Sequence, residues 1–202
     1  VAGAGVAWRV QLMPLRFLGG EEGNGATSDA IECIDYAISH GAQVINASYG
    51  SSSSSSVVAA AIRRARDAGI IFVAAAGNDG ADLDISSAFP ANYLIHNVIS
   101  VANSTRLDDI STGSNSGSGL VELAAPGSDI LSLSASGDTS TLTTSGTSMA
   151  APMVTGAVAL LRAQYPADNY RDTINRLLRG TRKVTAFSGE VQTGGRLDVA
   201  AA

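Results

Sequence analysis

The chain has 202 residues, 45% apolar and 15% charged, which suits one domain with a sizeable core and excludes a disordered chain. Its net charge of -5 argues against nucleic acid, whose phosphates need a basic face. Two His and one Cys exclude a zinc-finger cluster, and a lone Cys excludes an internal disulfide.

Val10 to Leu18 reads as a strand, and Pro14 confines it to an edge or a strand end. Thr27 to His40 predicts a helix, because Ile31, Ile34, Ala37 and Ile38 make one apolar stripe. Thr27 or Ser28 supplies its cap, and Gly41 its stop. Val44-Ile45-Asn46 is a short strand. Val57 to Ala68 is a second helix, with Val58, Ala61, Ile62 and Ala65 on one side and Gly69 at its end. The continuous apolar run Ile70 to Ala76 suits a strand buried on both faces of a parallel sheet. Val98 to Ala102 and Leu120 to Ala124 are further short strands. Thr147 to Gln164 is a long apolar helix containing Pro152, and Asn169 to Leu178 is a last amphipathic one. Ser51 to Ser56, Ser111 to Gly119 and Asp138 to Ser145 read as loops by composition. Strands alternating with helices predict an α/β fold with a mostly parallel central sheet covered by helices. Active sites in such sheets lie at the carboxyl ends of the strands. No run reaches 18 apolar residues, so no membrane span is predicted.

Three segments carry candidate chemistry. Thr144-Ser145-Gly146-Thr147-Ser148-Met149-Ala150-Ala151-Pro152 delivers Ser148 to the first turn of the long helix. A helix start offers free N–H groups and a partial positive charge. Ser148 can meet an oxyanion with its own N–H while its hydroxyl attacks a carbonyl. Alone, the segment reads more simply as a capping Thr147 or Ser148. In Ala74-Ala75-Ala76-Gly77-Asn78-Asp79-Gly80 an apolar strand ends at Asn78, whose amide is a neutral donor for an oxyanion hole or an ordinary turn residue. In Val44-Ile45-Asn46-Ala47-Ser48-Tyr49-Gly50 a strand emerges into Ser48-Tyr49-Gly50, an extended tripeptide able to pair with a substrate backbone, or a plain strand exit.

Together with Val1-Ala2-Gly3, Gly5-Val6-Ala7-Trp8, Gln11-Leu12-Met13-Pro14-Leu15-Arg16 and the closing Gly195-Arg196-Leu197-Asp198-Val199, these segments closely resemble the subtilisin-like serine proteases, the subtilases. The resemblance implies a three-layer subtilisin-like α/β fold. It makes residues 1–202 the C-terminal, Ser-bearing portion of a catalytic domain whose N-terminal part is missing. It assigns Ser148 as nucleophile and Asn78 as oxyanion-hole side chain. It assigns Ser48, Tyr49 and Gly50 to substrate-backbone pairing and one wall of the specificity pocket, and Ala75, Ala76 and Gly77 to the opposite wall. The implied reaction is hydrolysis of a polypeptide substrate through an acyl-enzyme, in a secreted protein, with neither nucleic acid nor membrane as partner.

The family order is Asp, His, Ser, so the resemblance places the Asp and His upstream of Val1. His40 ends the first predicted helix, where a cation suits the dipole, and His96 precedes a strand; neither matches a family catalytic position. Lys183 is a poor partner for a Ser–Lys dyad, since it sits in an Arg-rich tail segment. An unactivated serine is a weak nucleophile, so the chain alone is expected to turn over little peptide. The alternative is an inactive fragment or pseudoprotease with a structural or binding role. A nucleotide-binding domain is disfavoured, because no Gly-rich phosphate loop opens a helix. The apolar face around Val10 to Leu15 is expected to be covered by a companion chain or by self-association, or to be rearranged. A structural calcium is the one cofactor left open; Asp82 and Asp84 alternate in a loop, but two carboxylates are too few to assign metal ligands. Asp79 is expected at the pocket rim, as a weak attractor of basic side chains or a turn acid. Tyr49 lines an outer pocket or covers the core. Asn46-Ala47-Ser48 and Asn103-Ser104-Thr105 match a glycosylation pattern, with Asn46 expected to be buried.

Overall fold

The run Ile70 to Ala76 forms the centre of the sheet. In a computed structural model that describes residues 5–20 and 23–202, strand β2 is Ile71–Ala75 and every residue of it is buried. It pairs in parallel with β1 (Val44–Ala47) on one side and β3 (Val98–Ser104) on the other. β4 (Leu123–Pro126) pairs in parallel with β3. Two short strands, β7 (Arg182–Lys183) and β8 (Gly195–Arg196), complete the order β1-β2-β3-β4-β8-β7. Between β4 and β7 lie a separate hairpin of β5 (Ile130–Leu133) and β6 (Thr141–Thr144), and two helices.

The apolar run is continuous because two cores need it. Phe72, Ala74 and Ala76 face a core shared with helices α1 (Thr27–Ser39) and α2 (Ser56–Asp67), including Ile34, Ile62 and Ala65. Ile71, Val73 and Ala75 face the opposite core, shared with α3 (Thr147–Gln164) and α4 (Tyr170–Arg179), including Val154, Val158 and Leu161. Alternate residues of one strand therefore fill both layers, as a covered parallel sheet requires. The three-layer α/β fold is the one expected.

The helices follow their sequence signals with one correction. α1 is capped by Ala26 with no side-chain cap bond, because Thr27 and Ser28 already lie inside the helix. Gly41 ends it with φ +72, and Ala42 N donates to Ala37 O as a C-terminal lock. The serine run is not all loop: Ser55 caps α2 by accepting from Val58 N. Asn169 caps α4 by accepting from Arg171 N and Asp172 N.

Two strand expectations shift. β4 covers Leu123–Pro126 rather than starting at Leu120. The Asp138 to Ser145 segment, expected as loop, supplies β6. One expectation fails: residues 10–18 form no strand. A strand exists through its ladder, and the outer edge of β1 pairs with no strand among the described residues. Val10, Leu12, Met13 and Leu18 stand exposed, and Trp8 is 82% exposed. Val1-Ala2-Gly3, part of the family resemblance, lies outside the described residues.

Glu122, just before β4, completes the β3 ladder with its side chain. Its Oε2 accepts from Ser100 N at 2.6 Å, and burial pushes its pKa from 4.5 up to about 7. A carboxyl raised on folding favours the fold fully below its unfolded pKa and loses that contribution as pH rises through the folded one. Glu122→Gln keeps an acceptor and removes the titration. We expect the two proteins to unfold alike below about pH 4.5. Above about pH 7 the variant should be more stable by up to about 3 kcal/mol, read as thermal unfolding against pH.

Candidate active site

The chain leaves the carboxyl ends of β1, β2 and β4 toward the start of α3. Gly146 is the N-cap of α3, with φ +150 and no side-chain cap. Its N–H donates to Gly127 O, just after β4, at 2.9 Å. A Cβ at Gly127 would lie 2.7 Å from Gly146 O and 2.6 Å from Asn103 Oδ1, so only glycine lets the loop sit this close.

Thr147 is fully buried and joins α3 to the end of β2. Its backbone N donates to Asn78 Oδ1 at 2.9 Å, and its hydroxyl donates to the same oxygen at 3.1 Å. That hydroxyl also accepts from Gly77 N at 3.1 Å. With its oxygen held, Asn78 presents Nδ2 as the remaining group. Among the described residues neither Asn78 Nδ2 nor Ser148 N has a protein partner. The site thus offers two unused N–H donors and one hydroxyl, the equipment of an oxyanion-stabilised acyl transfer.

Pro152 explains how Ser48 enters this arrangement. Inside α3 it has no N–H for the carbonyl four residues back, that of Ser148. Ser48 Oγ donates to Ser148 O instead, at 2.9 Å. In return Ser148 Oγ donates to Ser48 O at 3.3 Å. The helix defect and the tripeptide after β1 are therefore coupled.

The turn after β2 is bound by a residue the sequence analysis did not single out. Asn115, 1% exposed, bonds residues on both sides of Asn78. It sits in the Ser/Gly-rich segment 111–119, where composition signalled only a loop. Its one sequence signal is an amide side chain amid small residues.

The expected substrate residues fall into two groups. Ser48, Tyr49 and Gly50 run beyond the β1–β2 ladder, whose last pair is Ala47 with Ala74. Ser48 and Tyr49 are half-buried and Gly50 is exposed. Tyr49 packs on the α1/α2 core and meets Phe17 edge-on at 4.8 Å; burial pushes its hydroxyl up to about 12. Ala75 and Ala76 are buried, and Gly77 is half-buried. Asp79 is exposed beside Asn78. His40 caps the end of α1, stacked on Tyr36 with Nδ1 2.9 Å from Tyr36 O. His96 is exposed before β3. Lys183 is engaged in β7, donating to Thr193 O.

Asp82 and Asp84 both take part in hydrogen bonds within the chain. Both oxygens of Asp84 accept from Gly119 N at 3.0 Å, Ser118 Oγ donates to one of them, and Asp82 Oδ1 accepts from Asp84 N. Among the described residues no cluster of three metal-ligating side chains occurs. The glycosylation patterns are reversed from expectation. Asn103 is 2% exposed, whereas Asn46 is exposed, donating to Ser48 Oγ and accepting from Thr155 Oγ1. β1 is the edge strand of the sheet, and Asn46 stays exposed although Thr155 of α3 bonds it.

The Ser48–Pro152 coupling is measurable. Ser48→Ala should cost about 1–3 kcal/mol, because it strands the Ser148 carbonyl. In a Pro152→Ala background a helical N–H can bond that carbonyl, so the same Ser48→Ala change should cost less. A double-mutant cycle by denaturant unfolding gives the difference; equal costs in both backgrounds would refute the coupling.

Comparison with known proteins gives the family and the fold. The profile described as "Subtilase family" matches residues 2–195. "Subtilisin DY" of Bacillus licheniformis is 36% identical over 178 residues, covering 86% of this chain and 61% of the relative. "Subtilisin-like protease 2" of Plasmodium falciparum is 38% identical over 161 residues, covering 78% of this chain and 12% of the relative. "Extracellular protease" of Xanthomonas campestris is 36% identical over 196 residues, covering 89% of this chain and 33% of the relative. A solved protease structure from Pseudoalteromonas arctica superposes with a TM-score of 0.87 at 33% identity, covering 99% of this chain and 64% of that one. The chain thus spans only part of the length of these relatives. It belongs to the subtilase family, by sequence and by fold.

Proposed function

We propose that this chain is the Ser-bearing part of a serine endopeptidase that cleaves peptide bonds through an acyl-enzyme on Ser148. The observation that carries the reading is the pair of unused donors, Ser148 N–H and Asn78 Nδ2, with Asn78 Oδ1 held by Thr147. Ser148 Oγ attacks the substrate carbonyl, and the negative oxygen that forms is held by the two donors. The carbonyl re-forms as the amine leaves, and water then releases the acyl group. A substrate strand lies along Ser48-Tyr49-Gly50, beyond the reach of the β1–β2 ladder. Gly77 and the flanking Ala75 and Ala76 back the opposite side of the cleft.

The attack needs a base, and Ser148 Oγ donates only to the Ser48 carbonyl, which cannot carry the proton away. His40 and His96 occupy helix-end and surface positions. The family's Asp and His therefore come, in this reading, from a segment encoded upstream of Val1. The same segment covers the exposed apolar stretch from Trp8 to Leu18. Without it, a companion chain or self-association covers that stretch. An extracellular setting is the matching expectation, supported by the name of the Xanthomonas relative.

The test uses a peptide substrate and a serine-reactive phosphonate. The purified 202-residue chain should turn over little peptide. The protein that includes the upstream segment should hydrolyse it, and Ser148→Ala should abolish that activity. Robust turnover by the chain alone, lost in Ser148→Ala, would overturn the need for an outside base. An assembled protein with neither turnover nor Ser148 labelling would make this a binding or structural domain. The sole tryptophan, Trp8, reports the covered face. Its emission should shift to the blue on assembly, and an unchanged spectrum would mean that the upstream segment docks elsewhere.

A further inference from the structure

We infer that Asn115 is the residue that positions Asn78, an inference that rests on Asn78 being the oxyanion donor. Asn115 makes four hydrogen bonds to the turn that carries Asn78. Its Nδ2 donates to Ala76 O at 2.9 Å, and its backbone N donates to Gly77 O at 2.9 Å. Its Oδ1 accepts from Asp79 N at 3.0 Å and from Ala81 N at 2.9 Å. The bonds fall on both sides of Asn78 and none on Asn78 itself.

This distribution is what a positioning device needs. The direction of Asn78 Nδ2 depends on where its Cα sits and on two side-chain torsions. Thr147 fixes the far end of the side chain, through Oδ1. Asn115 fixes the near end, by clamping the backbone before and after it. With both ends held, the amide N–H groups keep one direction. Asn78 is itself exposed, so packing does not supply this order.

The chemistry selects asparagine at position 115. The site needs a donor for Ala76 O and an acceptor for two N–H groups on one short, planar side chain. Asp keeps the acceptor and loses the donor; Ser is too short to do both. Gly77 is bound into the same arrangement. It has φ +107, and a Cβ there would lie 2.3 Å from Asn115 Nδ2. The glycine before Asn78 is the space into which the Asn115 amide fits.

The test needs no turnover. In the 202-residue chain, the order parameter of the Asn78 side-chain amide is measured by 15N relaxation. It should lie in the rigid range in the native chain and fall toward the flexible range, below about 0.6, in Asn115→Ala. Its cross-peak to the Thr147 amide should weaken in parallel. Asn97→Ala is the control: Asn97 is also fully buried, and it donates to Ile70 O near the amino ends of β2 and β3. It should lower the unfolding temperature without moving the Asn78 signal. If Asn115→Ala does not fold, Asn115→Asp is read in the same way, since it keeps the Oδ1 acceptor and loses the donation to Ala76 O. An unchanged Asn78 amide in the folded Asn115 variant, or an equal loss of order in Asn97→Ala, overturns the inference. Failure of the peptidase reading looks different: an ordered Asn78 in a protein that never hydrolyses peptide.

Discussion

Thr147 is the joint on which the arrangement depends. It is the first residue of α3, it is fully buried, and it binds the turn after β2 through three hydrogen bonds. α3 packs against β1, β2, β3 and β4, so its height along the sheet decides where Ser148 stands. Apolar packing of Ala150, Val154, Val158 and Leu161 presses α3 onto the sheet but does not by itself fix the position of its first turn. Hydrogen bonds are directional, and three of them at one end remove the freedom to slide. Losing them would also strand buried polar groups, at a cost of about 1–3 kcal/mol each.

Around that joint, close approach is made possible by missing atoms. Gly127 lacks the Cβ that would strike Gly146 O and Asn103 Oδ1, and Gly77 lacks the one that would strike Asn115 Nδ2. Pro152 lacks the N–H that would otherwise hold the Ser148 carbonyl. Each absence weakens a local element and is offset by a tertiary bond: Gly146 to Gly127, Asn115 to the β2 turn, Ser48 to Ser148. The same substitutions that would favour the isolated helix or turn would therefore loosen the site. Local strength is given up where three segments distant in sequence must meet.

The layered core was legible in the sequence because burial on two sides imposes an unbroken apolar run, and Ile70 to Ala76 shows one. The long helices were legible from periodicity. Residues 10–18 look equally strand-like, but their state depends on a partner that periodicity does not report. β6 hides in a Ser/Thr-rich stretch whose composition resembles a loop. Asn115 is similarly hidden, because its role lies in bonds to residues 34 to 39 positions away. Asn46 and Asn103 carry the same tripeptide pattern yet differ in exposure, since one lies on the sheet edge and the other under Gly127. Ser148 and Asn78 are assigned by resemblance; each alone reads as a helix cap or a turn.

Among the described residues, the outer edge of β1 pairs with no strand, and its carboxyl end lies close to the Ser148 hydroxyl. β1 runs parallel to β2, and its carboxyl end leads directly to Ser48. Ser48 is in mutual hydrogen-bond contact with Ser148. A strand added in parallel to the outer edge of β1 would end level with Ser48, and the chain leaving it would emerge within a few residues of the Ser148 hydroxyl. Any element that paired with the edge in that way would also bring new side chains close to the Ser148 hydroxyl. Pairing the edge of β1 and bringing a base to Ser148 thus make the same geometric demand.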